Sequence, residues 1–459
     1  MFRKALLASG AVAAAVIFAG AALAQRAPQQ VVTPPKASYW VSATTGSGLI
    51  GFSAPQGGGR PSMMDGMRAA RQMMEGGGVS RQLELDLGST LAATGGAPKA
   101  EHTPSAGFGV RGVLPLHTPT PGTPGQARAG EPERPKGRLL IYWGCGERAR
   151  AGQPVVIDFA RVAQGQWPTG LSSVTVNAPS PPSSRSHRTF GDWPNAIQPN
   201  GSVSLPGTAS LIGAHLVRGN YTPDIRFNAT QDFMAPVTFT ANAKTSTGSV
   251  NFAWSPVPTA TGYAGWTFGA KGDDLVFWST SEAKAFGVFQ DYIPPAEVAR
   301  LVRERAVLAP TTSQCTVPKD VMDAMGANGG APDQRAGGGM LFFTAYGPEQ
   351  NIIYPERPAD VRTPWNQEYF VKIRHRSQTL QMLGQSMGDM TTGNQGGQQM
   401  TQEERCRLQR EQQAQQQGST GSAIGSATGI PGAGAIGGML GRSRNKQKQA
   451  AVGPACPAP

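Results

Sequence analysis

Residues 250–282 read VNFAWSPVPTATGYAGWTFGAKGDDLVFWSTSE. Phe252 and Trp254 fall two apart, the spacing of one face of a strand. Asp273-Asp274 supplies a turn, and Leu275 to Trp278 returns as a hairpin partner. Val-, Phe-, Tyr- and Trp-bearing segments of this kind, cut by Pro, Gly and Asn, recur across residues 137–292. Short strands with turn signals at such spacing give the signature of a sandwich or barrel.

Working outward, the β period predicts strands over 138–143, 154–159, 171–176, 202–205, 215–218, 224–228 and 236–241, and earlier over 39–43, 79–87 and 110–116. Residues 187–200 (HRTFGDWPNAIQPN) read as an exposed turn region. Pro295 at a first helical position introduces a helix over 296–308. Strands over 340–345, 351–354 and 367–374 are expected to complete the central sheet at its edge, because three strands alone bury little area. The expected fold is mainly β, with one or two β-sandwich-like domains, a short helix and a long low-complexity C-terminal tail. The division is 1–24 leader, 38–136 N-terminal strands with Gly/Pro-rich insertions, 137–245 β domain, 246–376 helix and closing strands, and 377–459 tail.

The run at 249–281 also resembles part of a fibronectin type III module. Trp254 matches the buried tryptophan of one strand, 256–262 the Pro-rich connection, and Tyr263 the opening of the next strand. The resemblance covers some 35 residues. It implies binding or spacing rather than catalysis.

The first 24 residues have the layout of a signal peptide: Arg3 and Lys4, an Ala-rich apolar run, then Ala22-Leu23-Ala24 before Gln25. The formal charge of +12 loses two units with that leader and stays basic. Such a field favours an anionic envelope polymer or lipid surface. Nucleic acid is not expected, because no Lys/Arg stripe with interleaved aromatics appears. Cys145, Cys315, Cys406 and Cys456 permit two bridges in an oxidising compartment, with Cys145–Cys315 and Cys406–Cys456 favoured by proximity in sequence. None of the spacings suits structural zinc.

From residue 377 the composition turns Gln-, Met- and Gly-rich. Gly421, Gly425, Gly429, Gly437 and Gly441 lie on a four-residue comb, with Ala433 at the missing tooth. The comb resembles the glycine-zipper segments of bacterial envelope proteins. A helix over 421–441 would be about 31 Å long, enough to span a bilayer. Two readings stand open: a flexible tail, or a zipper that contacts membrane or self-associates.

No reaction is written in the sequence. Gly384-Gln385-Ser386-Met387-Gly388 fits G-x-S-x-G, but no histidine follows it, since His375 is the last of five. His102, His117, His187, His215 and His375 show no metal spacing. Glu147, Asp158, Asp192 and Asp224 are the conceivable acids of a glycoside hydrolase. Methionine clusters at 63–74 and 382–400 offer soft ligands for Cu(I) or, more plainly, adaptable apolar faces. Trp167, Trp193, Trp266 and Trp365, with Arg148 and Arg150, are the candidate contact surface. The sequence therefore points to a non-catalytic exported cell-envelope protein, periplasmic or outer-membrane-associated, with a structural or binding role and no cofactor or metal. The alternative is an exported hydrolase acting on glycan from a β-sandwich scaffold.

Overall fold

The computed structural model describes residues 29–49, 78–109, 112–118, 137–194, 205–328 and 339–384. The fold is mainly β. Its centre is one mixed sheet of nine strands. In spatial order these are β7 (Val155–Asp158), β6 (Arg138–Trp143), β14 (Asp274–Ser279), β13 (Gly262–Lys271), β16 (Met340–Tyr354), β18 (Tyr369–Met382), β2 (Ala37–Gly48), β3 (Ser80–Ser89) and β8 (Thr189–Trp193). Neighbours run antiparallel except for two parallel pairs, β14 with β6 and β18 with β2.

Two smaller antiparallel sheets lie side by side over one face. The first has the order β10 (Ile225–Ala229), β9 (Gly213–Gly219), β4 (Ala100–Thr103), β5 (Leu114–Leu116). It buries Val217, Ile225 and Phe227 against Tyr39, Val41, Leu85, Leu87, Val371 and Ile373. The second has the order β11 (Phe239–Lys244), β12 (Val250–Trp254), β15 (Gln314–Val317). It packs Phe252, Trp254 and Val317 on Trp278, Leu341 and Phe343. Phe343 has four ring neighbours, the nearest being Trp254 at 4.5 Å between centroids. A disulfide between Cys145 and Cys315 ties the end of β6 to β15. A short parallel pair, β1 (Val32–Thr33) with β17 (Trp365–Asn366), completes the strands.

The opposite face is covered only in part. The helix Pro295–Arg303 presents Val298 and Leu301 to Ala264 and Tyr346, while Phe286 packs on Ile141 and Phe277. This cover ends at Tyr292, above β18.

Several expectations are corrected here. The late strands occupy the middle of the sheet, not its edge: β18 is paired on both sides, from Tyr369 to Met382 with β16 and from Tyr369 to Leu380 with β2. Residues 340–345 and 351–354 are one strand, continued through a bulge between Tyr346 and Glu349. Strands from 38–136, 137–245 and 246–376 all enter the same sheet. Residues 187–200 are not wholly an exposed turn, because Thr189–Trp193 forms β8 and pairs with β3. No strand forms over 171–176, where Ser173 makes only an isolated bridge to Phe286. The helix stops at Arg303, and Arg305 adopts φ 56°, turning the chain so that Leu308 pairs with Tyr263. Trp254 and Tyr263 lie in different sheets with rings 5.3 Å apart, but the parallel pairs set this topology apart from an all-antiparallel fibronectin-like sandwich. The leader, the methionine cluster at 63–74, Ser386, Cys406, Cys456 and the glycine comb lie outside the described residues.

Candidate ligand-binding face

Alternation along β18 sends Val371 and Ile373 into the core and Lys372, Arg374 and Arg376 to the other side. All three cations are nonetheless at most 9 % exposed. Register extends this face across the sheet in two rows. One runs Asn351, Lys372, Trp40, Asp86, Asp192; the other runs Glu349, Arg374, Ser42, Glu84. Cations thus stand on β18, with Glu349 on the neighbouring β16, while Glu84 and Asp86 lie two strands away across Trp40 and Ser42 and Asp192 lies one strand further.

The cations differ in how they are compensated. Lys372 Nζ donates to Glu349 at 2.8 Å, and both side chains are nearly sealed from solvent. Arg376 pairs with Asp291, and its Nε donates to Thr44 at 2.9 Å. Arg374 donates through Nε to Ser42 Oγ at 2.7 Å and has no ion pair among the described residues. Its guanidinium lies 4.9 Å from the Trp40 centroid and 4.2 Å from that of Tyr292. Aromatic faces hold a guanidinium flat while leaving its in-plane N–H groups free. Burial lowers the Arg374 pKa, against the pull of the Tyr292 ring and of Asp86 and Glu84.

On the acid side, both backbone groups of Asp192 bond His117, with N–H to O distances of 2.9 and 2.7 Å. Asp192 therefore faces Asp86 as a pair without mutual backbone bonds, the arrangement that brings opposed side chains closest. Desolvation first, then Glu84 and Asp192, raise the Asp86 pKa to about 7, although Arg374 opposes the shift. Asp192 is also raised by desolvation, and its Oδ1 is buried without a hydrogen-bond partner. At the far end of β3, Gly88 leaves room for the His187 ring, whose atoms would lie 2.5 Å from an added Cβ. His187 and Tyr292 frame the face from opposite sides.

A second polar feature lies between the large sheet and the four-stranded one. His215 Nε2 donates to the Leu211 carbonyl at 2.6 Å, which leaves Nδ1 of the neutral ring as an acceptor. His102 Nε2 donates to it at 3.0 Å, and the Tyr39 hydroxyl donates to His102 Nδ1. Burial lowers the pKa of both histidines and raises that of Tyr39. The chain is satisfied end to end without charge.

The residues expected to form a contact surface are dispersed. Trp167 is exposed in a loop, whereas Trp193 is buried in the core beneath β8. Trp266 stacks on Phe342 at 4.0 Å, and Trp365 donates to the Pro355 carbonyl. Arg150 pairs with Glu282, and Arg148 is exposed. No contact joins these residues among those described. Of the conceivable acids, Glu147 accepts from Thr247 and Ser249, Asp158 caps the helix Phe159–Val162, and Asp224 pairs with Arg218 and Arg226. Only Asp192 belongs to the charged face. Alternating Lys-x-Arg-x-Arg in YFVKIRHR was the available signal for that face, but exposed strand edges carry the same pattern. No protein-family model, curated protein or solved structure matches this chain.

Proposed function

We propose that this is a non-catalytic, exported cell-envelope protein that binds an anionic envelope polymer through the face centred on Arg374. The supporting observation is Arg374 itself, buried, lying over the rings of Trp40 and Tyr292, and without a carboxylate partner among the described residues. An Arg fork in that state matches a carboxylate bidentately. The leader-like first 24 residues and the basic charge support an envelope address. Co-sedimentation of the protein with purified peptidoglycan sacculi tests the reading. Wild type should pellet with sacculi and Arg374→Gln should not; equal pelleting, or binding only to anionic lipid vesicles, contradicts it.

The opposed Asp86 and Asp192 favour one second reading, a glycan hydrolase. Directly opposed strand positions bring their side chains close together, as a pair of catalytic carboxyls requires, and one carboxyl is poised near neutrality. Release of soluble fragments from sacculi by wild type, abolished in both Asp86→Asn and Asp192→Asn, would select that reading.

A further inference from the structure

Beside its one cation without an ion pair among the described residues, the charged face has an acid side that narrows the ligand. Lys372 and Arg376 are already neutralised by Glu349 and Asp291. What remains among the described residues is the Arg374 guanidinium, whose Nε donates to Ser42, with Glu84 and Asp86 across β2 and Asp192 beyond them. The Asp86 carboxyl has no hydrogen-bond partner among the described residues, and Asp192 Oδ1 is a buried oxygen without one among them. Unsatisfied buried oxygens are costly, and they are expected where a ligand supplies the missing donor.

A phosphate dianion fits poorly, because it would meet a single free cation and three carboxyl groups of its own sign. A metal cation fits poorly too: among the described residues no three His, Cys, Asp or Glu side chains are placed to hold one. A ligand carrying one negative group and one nearby N–H donor satisfies both halves. Strand spacing sets β18 and β3 about 10 Å apart across β2. After both side chains reach inward, that gap suits two charged groups borne on one carbon.

We infer that this face recognises an α-amino carboxylate, with the carboxylate at the Arg374 guanidinium and the ammonium at the opposed Asp86 and Asp192, Glu84 adding its charge from the next row. Trp40 and Ser42 form the floor, and Tyr292 and His187 the two walls. The inference rests on the binding reading above and names the unit of the polymer that is gripped. In a peptide branch the last residue has its amine acylated, so both groups stay free on one carbon only in a residue joined through another centre, such as a diamino diacid; a wall polymer built on such residues presents the unit many times. Protonation of Asp86 would remove one of the acceptors, so affinity should rise with pH through neutrality.

Saturation-transfer NMR on the full chain tests this with L-alanine, D-alanine, N-acetyl-L-alanine and L-alaninamide as probes. At least one alanine enantiomer should bind, with each blocked form weaker by about tenfold or more, the loss expected when a charged hydrogen bond is removed. Arg374→Gln should lose alanine binding while Arg374→Lys keeps part of it, and thermal melts establish that both variants fold. Glu84→Gln combined with Asp86→Asn should erase the preference for alanine over N-acetylalanine. Equal binding of alanine and N-acetylalanine by wild type overturns the inference, as does no binding by any probe. If sacculi still bind through Arg374 while alanine does not, the inference falls and the binding reading stands. If neither binds, both fall.

Discussion

The Arg374 guanidinium lies 4.2 Å from the centre of the Tyr292 ring, and the Tyr292 hydroxyl shares a 2.6 Å hydrogen bond with Thr44. Tyr292 belongs to the segment that covers the far half of the sheet, so the edge of that cover is also a wall of the charged face. Tyr292→Phe keeps the ring and removes the bond, and should cost about 0.5–1.5 kcal/mol. Tyr292→Ala should cost about 3–5 kcal/mol and weaken ligand binding as well. Urea unfolding with parallel co-sedimentation separates the two effects.

Glu349 and Lys372 form an ion pair with side-chain exposures of 9 % and 10 %. Removing one member strands the other in a poorly solvated place. Glu349→Ala should therefore destabilise by about 3–5 kcal/mol. Glu349→Leu with Lys372→Met should recover most of that loss, because apolar replacement of both partners leaves no buried charge. A double-mutant cycle by denaturant unfolding checks the pattern.

The Tyr39–His102–His215 chain makes stability fall with acid. Both histidines have depressed pKa values when folded, so the unfolded chain binds more protons as pH drops below the ordinary histidine range. The groups facing them are Tyr39 from the large sheet and Phe227, stacked at 4.8 Å on His215, with no carboxylate among the described residues in contact to offset a charge. The melting temperature should drop between about pH 6.5 and 5, and His102→Gln should flatten that slope.

Asp86 acts in the opposite direction. Its folded pKa of about 7 lies above the ordinary carboxylate value, so the folded state gains stability as pH falls from above 7 toward 4. Asp86→Asn should be more stable than wild type at pH 8, by about 1–3 kcal/mol after solvent screening. The two should converge by about pH 4. Denaturant unfolding at the two pH values measures the difference.

The Cys145–Cys315 bridge closes a loop across 170 residues of sequence. Reduction, or replacement of both residues by Ser, should lower stability by about 2–5 kcal/mol. Mass spectrometry of the non-reduced protein should find this peptide pair.

Much of the fold was legible because its strands announce themselves one at a time. Phe252 and Trp254 alternate, and Asp273-Asp274 marks a hairpin, so 250–254 and 274–279 were readable locally. Long-range pairing was not. Parallel pairing of β2 with β18 joins residues more than 300 positions apart, and no local pattern encodes which strand a buried run will meet. Thr189–Trp193 was hidden for a related reason: proline and glycine around it advertise a turn, and only pairing with β3 makes it a strand. The histidine pair was hidden because His102 and His215 meet across 113 residues. Arg374 and Asp86 do not stand out in the sequence, because charge on a strand ordinarily means solvent. Here the aromatic rings of Trp40 and Tyr292 keep it covered.

The central claim is that the ligand touches Arg374. Side-chain NMR of Arg Nε–H groups, assigned through Arg374→Lys, measures this directly during titration with solubilised peptidoglycan fragments. The Arg374 resonance should shift in saturable fashion while those of Arg138 and Arg300, each held in an ion pair, stay still. Saturable shifts confined to other arginines, with Arg374 unmoved, would contradict the account.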